Sequence, residues 1–221
     1  MGLDRFQYPD SYSHQYASYG GGVPVWRHKP SGFRLVGGIL SSTFVKGELL
    51  HEGSPVYYDA QAHTGKILKC FKVTDVATSG SNTIITLSNN FMTPSLYAGM
   101  NVMVAPSTLA GTGKAVTVTS VDTTTENYYK ITVPTANIDA VTVGSYLVEA
   151  AGSGSAVNMY CQPNILSVND LVVGDINTIS IPRKTECSIY RNLMPDVPDV
   201  VLNNITSNNP LIEFEYYNEK Q

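Results

Sequence analysis

The chain has 221 residues, 43% of them hydrophobic, enough for one large domain or two small ones with a real apolar core. Charged residues make up 14%, against about 25% in an average domain. The net charge is −4 and "RHKPSGFR" is the most basic window, so the stripe of cations that nucleic-acid binding needs is missing. The place of the charges is taken by Ser, Thr, Asn, Gly and Tyr, a surface suited to sheets and protein contacts. No apolar run approaches the ~20 residues of a membrane span. The three cysteines, Cys70, Cys161 and Cys187, form no CxxC pair. With no basic leader and apolar run at the start, an odd thiol count suits synthesis in a reducing cytoplasm.

Residues 1–32 differ from the rest. They are rich in Tyr, Ser and Gly and poor in aliphatics. Tyr8, Tyr12, Tyr16 and Tyr19 fall at near-helical spacing, but Pro9, the serines and the triple glycine Gly20 to Gly22 disfavour a stable helix. The segment reads as an extended arm or as a disordered tail. Phe6, the four tyrosines and Trp26 would give a docking arm large amphipathic contact area at low entropic cost.

From about Phe33 short β runs alternate with turns, rich in Val, Ile, Thr and Tyr and punctuated by Gly, Pro, Asn, Asp and Ser. The first long one, "FVKGELLHEGSPVYYDAQ" (Phe44 to Gln61), reads as a hairpin shaped by Gly47, Gly53 and Pro55. Further on, Val116, Val118 and Val121 share a core face with Ile131 and Val133 across the turn "DTTTEN". The spacing predicts an all-β protein of barrel or sandwich modules. A weak repeat relates Ile84–Ala105 to Lys130–Ala150, aligning Gly99 with Gly144, Val102 with Leu147 and Ala105 with Ala150. It is either a pair of similar units within one barrel or a coincidence between two generic hairpins. "AAGSGSAVN" reads as a flexible break. The expected organisation is therefore an arm (1–32), a β platform (33–75 and 152–221) and an inserted small barrel (76–151). Near the end, Pro195 and Pro198 precede a short helix with Val200, Val201 and Ile205 on one face, and "LIEFEYY" closes as a strand.

Four side chains invite a metal reading: His51, Glu52, Asp59 and His63. On a regular strand His51 and Glu52 point to opposite faces, so solvated surface residues are the favoured reading. Asp122, Glu126 and Asp139 fall in turns. Glu213 and Glu215 share a strand face about 7 Å apart by strand geometry and could serve as the carboxylate pair of a glycosidase, but the wet face of an edge strand is the favoured reading. Cys70 alternates into a core. No nucleophile elbow, P-loop or dinucleotide fingerprint occurs. The expectation is a protein without catalytic, metal or cofactor sites.

The segment "KGELLHEGSPVYYD", with Lys46, Gly47, Leu49, Gly53, Pro55 and Val56, and the ending "LMPDVPDVVLNNITSNNPLIEFEYY" resemble the head fibre and auxiliary (decoration) proteins of tailed bacteriophages. The resemblance covers the two flanks, under half the chain. It implies a non-enzymatic virion protein bound to the outer face of the major capsid protein, alongside other virion proteins, and often a homo-oligomer, with a trimer favoured. It places the chain on the capsid surface, assembled in the host cytoplasm. The rival is a carbohydrate- or receptor-binding β module using Tyr57/Tyr58 or Tyr128/Tyr129, although adjacent tyrosines on a strand face opposite ways.

Overall fold

A computed structural model describes residues 25–28, 44–174 and 186–217, the backbone of 33–37 and 178–182, and the side chain of Ile181. Strands dominate. β1 (Trp26–His28), β2 (Phe33–Gly37), β3 (Leu49–Leu50), β4 (Pro55–Asp59) and β5 (Thr64–Ile67) form the first part of a platform. Then come β6 (Cys70–Ser79), β7 (Asn82–Ser88), β8 (Asn101–Val104), β9 (Thr112–Thr117), β10 (Val121–Asp122), β11 (Tyr128–Pro134) and β12 (Tyr146–Glu149). β13 (Gly154–Asn158) leads back to the platform strands β14 (Ile165–Leu166), β15 (Leu171–Val172), β16 (Thr178–Pro182) and β17 (Cys187–Tyr190). A single helix among the described residues, α1 (Asp199–Asn208), precedes β18 (Ile212–Glu215).

The middle strands hydrogen-bond in the order β10-β11-β7-β6-β12-β8-β9-β13. Because β9 runs on into β10, the segment that pairs with β8 at one end pairs with β11 at the other. Six antiparallel strands therefore close into a barrel, which leaves no unpaired edge along its wall. Alternation does the sorting. Phe71, Val73, Ile85, Leu87, Val102, Val116, Ile131, Val133 and Leu147 fill the interior, each fully buried aliphatic or aromatic side chain contributing about 1.5–3 kcal/mol. The valine and isoleucine face expected across the "DTTTEN" turn is formed, with Val121 opposite Ile131.

The weak repeat is a structural one and is longer than the sequence suggests. β8 and β12 pair with Leu147 opposite Val104, Val148 opposite Met103 and Glu149 opposite Val102. A shift of 45 residues maps this register onto itself, with Met103 and Val148 exchanging places. The same shift carries Asn101↔Thr117, Val102↔Val116 and Met103↔Ala115 onto Tyr146↔Lys72, Leu147↔Phe71 and Val148↔Cys70. It also carries the bond from Gly99 N to Val118 O (2.8 Å) onto the one from Gly144 N to Val73 O (2.9 Å). Both glycines are left-handed, with φ of +97° and +86°, which is why the alignment kept them. The barrel is thus two three-stranded units, residues 70–105 and 115–150, related by a local two-fold axis.

The other side of the β6, β8, β9 and β12 wall faces the platform. Cys70, Met103, Ala115, Val148 and Ala150 pack in one cluster with Trp26, Leu166, Ile189 and Val201. This placement corrects three boundaries. The expected barrel start at Val76 falls inside β6. The expected flexible break is β13, whose backbone pairs with β9 and so is satisfied without a side-chain core. The end of the arm is β1, paired with β17.

α1 begins after Pro198, with Asp199 in its first turn near the free N–H groups. It buries Val201, Leu202 and Ile205, so the apolar face is rotated from the expected one and Leu202 takes the place of Val200. β18 then pairs in parallel with β17, with Ile212 inward and Leu211 exposed.

Candidate functional site

The segment Phe44–Gln61 is not a hairpin. β3 pairs with β15 and β4 with β5 and β14, so the two strands join different sheets around a corner at His51–Ser54. Apolar partners decide this: Leu50 faces Leu171, and Val56 faces Ile165 and Ile67. The three backbone-shaping residues keep their role. Gly47, at φ +91°, donates its N–H to Val173 O. Gly53, at φ +83°, is in the left-handed region, and a Cβ there would lie 3.0 Å from Met194 Cβ, a tight contact that would force a neighbour to shift. Pro55 opens β4, where its carbonyl accepts from Leu68 N.

Of the contact residues expected in the arm, Phe6, Tyr8, Tyr12, Tyr16 and Tyr19 lie outside the described residues. Trp26 does not face outward. It is 1% exposed, packs in the platform core and donates its ring N–H to Ser167 O at 3.3 Å. A large ring with one donor is most stable where both are satisfied, and the interior between β1 and the corner provides that. Next to it Val25 N donates to Glu52, Arg27 pairs with Glu215, and His28 bonds Ser188 Oγ.

The platform and barrel meet at a buried ion pair that sequence reasoning missed. Lys69 is wholly buried, and its Nζ donates to Glu48 Oε1 (2.8 Å), Glu48 Oε2 (3.0 Å) and Ser95 O (3.0 Å). The Phe44 and Tyr97 rings lie 4.4 and 5.0 Å from the ammonium. Glu48 also accepts from Ser95 N and Val45 N. Burial pushes the Lys69 pKa down, while Glu48 and the buried Glu149 oppose that shift. A lowered lysine beside carboxylates can serve a Schiff-base chemistry. The Lys69 side chain, however, is wholly enclosed, which leaves no route for a substrate carbonyl to its ammonium. The pair fastens residues 44–48 to the start of β6. The sequence signal for it was a lysine inside the apolar run "ILKCF".

The four metal candidates divide between two places. Asp170 Oδ1 lies 3.7 Å from His51 Nδ1 and accepts from Glu52 N, whereas Asp59 and His63 sit in the β4–β5 turn. Among the described residues no group of three or more His, Cys, Asp or Glu side chains is arranged to hold a metal. Asp59 accepts from Ala62 N and Gln61 N, and Asp122 from the Thr124 hydroxyl and N–H; these bonds hold both carboxyls below their ordinary value. Asp139 accepts from Lys114 N, and Glu126 is exposed. Glu213 and Glu215 share a face of β18, where Glu215 is engaged by Arg27. Tyr57 packs on the platform core and Tyr58 on a neighbouring cluster, while Tyr129 packs on the barrel interior and Tyr128 is exposed. All three cysteines are buried; burial pushes the Cys70 and Cys161 thiols well up and Cys187 to about 11.

A large concavity lies on the second barrel unit: a groove of about 530 Å³ between β9, β13 and the turn Thr135–Asn137, lined by Ala115, Lys114, Thr117, Asn137 and Ser155. Its residues are scattered over forty positions of ordinary Thr/Ser/Ala sequence, so no local pattern announces it. Among the described residues no helix is long and apolar enough to cross a membrane. No family model matches the chain, and neither a curated protein nor a solved structure matches it.

Proposed function

We propose that the chain is a structural protein of a tailed-phage particle, bound to the outer face of the major capsid protein as a decoration or head-fibre-base protein. The reading rests on the resemblance of the two flanks, which together build the platform, and on one observation above all. The chain enters and leaves the barrel at adjacent points, where Glu149 N donates to Lys69 O at 2.9 Å and Lys69 is locked to Glu48. A knob fastened in this way is held rigidly on its base, the property a capsid appendage needs. The platform is then the capsid-binding part, residues 1–24 extend the contact from its β1-β17-β18 sheet, and a homo-oligomer, a trimer by preference, is the assembly.

The test is co-sedimentation of the purified chain with empty expanded capsids of the phage that carries its gene. Saturable binding at a fixed ratio to the major capsid protein is expected, and deleting residues 1–24 should reduce occupancy. No binding of the full-length chain at micromolar concentration would sink the reading. Native mass measurement gives the oligomer.

A further inference from the structure

The local two-fold axis gives the barrel two equivalent flanks, and they are not in the same state. Lys69 and Lys114 are 45 residues apart, the spacing that relates the two units. Each ammonium donates to a carbonyl in the segment after the middle strand of its unit, Lys69 to Ser95 O and Lys114 to Ala136 O, both at 3.0 Å. On the first unit the flank is filled by the chain's own extended segment. Both Glu48 carboxylate oxygens accept from the Lys69 ammonium, and Leu49, Leu50 and His51 line, together with Cys70 and Met92, a cavity of only about 10 Å³. On the second unit, Ala115 stands where Cys70 stands on the first, and the flank is open, with about 530 Å³.

We propose that the open groove of the second unit is a docking site for an extended, carboxylate-bearing segment of another protein chain. The carboxylate would meet Lys114 as Glu48 meets Lys69. Charge complementarity within the molecule itself favours such an occupant: the equivalent barrel flank, with a lysine at the same backbone position, already holds such a segment once. Lys114 Nζ has one carbonyl acceptor and keeps donor capacity, since an ammonium has three protons. Asp139, the nearby acid, accepts from the Lys114 backbone N–H and is directed at Gly113, 2.6 Å from where a Cβ would lie there. Thr117, Asn137 and Ser155 supply neutral hydrogen-bonding groups along the rim. A neutral rim around one cation suits a segment with one central carboxylate. The inference does not depend on the partner being a capsid protein, so it stands or falls separately from the proposed function.

The probe is a labelled thirteen-residue peptide with the sequence of Phe44–Val56, "FVKGELLHEGSPV", titrated with the full chain at low ionic strength and read by fluorescence anisotropy. Saturable one-to-one binding is expected. Lys114→Gln in the protein, or Glu48→Gln in the peptide, should each weaken it by about tenfold, and the two together should weaken it little further. Asn137→Trp, which fills the groove from its exposed rim, should abolish binding without a change in thermal unfolding. Absence of saturable binding overturns the proposal. So does binding that Lys114→Gln leaves unchanged, because the peptide would then be exchanging into the Lys69 flank. A short oligogalacturonate that binds with Lys114 dependence where the peptide does not would also overturn it, by making the groove an acidic-sugar site.

Discussion

The two barrel units share a backbone and differ in what covers them. Residues 70–105 and 115–150 repeat the same pairings, the same left-handed glycines and the same pre-strand lysine. Yet Lys69 is wholly buried and Lys114 is only partly so. The difference comes from one tertiary event, the folding of residues 44–51 and 195–196 over the first unit. Identical local geometry therefore carries a structural ion pair on one side and an open groove on the other. A residue's role follows from its surroundings more than from its place in a strand.

The largest expected difference between the units is energetic. Lys69→Ala leaves Glu48 buried without its cation and should cost about 3–5 kcal/mol, whereas Lys114→Ala should fall within about 0.5 kcal/mol of wild type. Urea denaturation of the two variants reads this directly, and equal losses would break the comparison. Next comes the corner that positions the covering segment. Gly53→Ala combines a left-handed backbone with a contact to Met194 and should lose about 2–4 kcal/mol.

Smaller still, Gly99→Ala and Gly144→Ala have open space around them and differ from wild type only in backbone strain. Each should cost about 1–2 kcal/mol. Their losses should agree closely, and a large disparity would mean that the two units are not equivalent.

The smallest effect sharpens the comparison at the turns. Asp122 accepts two bonds from Thr124, while the first unit has Ala77 at the equivalent place. Because its carboxyl is held below the ordinary value of 3.8, Asp122 stabilises the fold above that pH and loses its contribution as the pH falls through the folded-state value. Asp122→Asn should therefore differ from wild type at neutral pH, and the gap should close in acid below pH 3.8. A gap that stays constant across that range would show that the carboxylate charge is not involved.

Much of this was legible in the residues. Period-two alternation placed Val116, Val118, Ile131 and Val133 in a core, and Gly99 and Gly144 marked the repeat because a left-handed backbone leaves few other choices. The partners of each strand were less legible. β3 and β4 read as a hairpin since they are close in sequence, but Leu171 and Ile165, more than a hundred residues away, provide better apolar faces. Trp26 read as a contact residue because its neighbours are polar, and only the packing of β1 against β17 buries it.

By itself, then, the sequence determined the all-β class, the backbone-shaping glycines and the lack of recognised nucleophile and nucleotide motifs, all of which depend on local spacing and conformational preference. Tertiary structure alone decided that the barrel closes through the continuous β9–β10 segment, that Glu48 finds Lys69, and that one of two equivalent flanks stays open. Those outcomes depend on which distant apolar surfaces and charges come together on folding, and alternation along a strand carries no record of them.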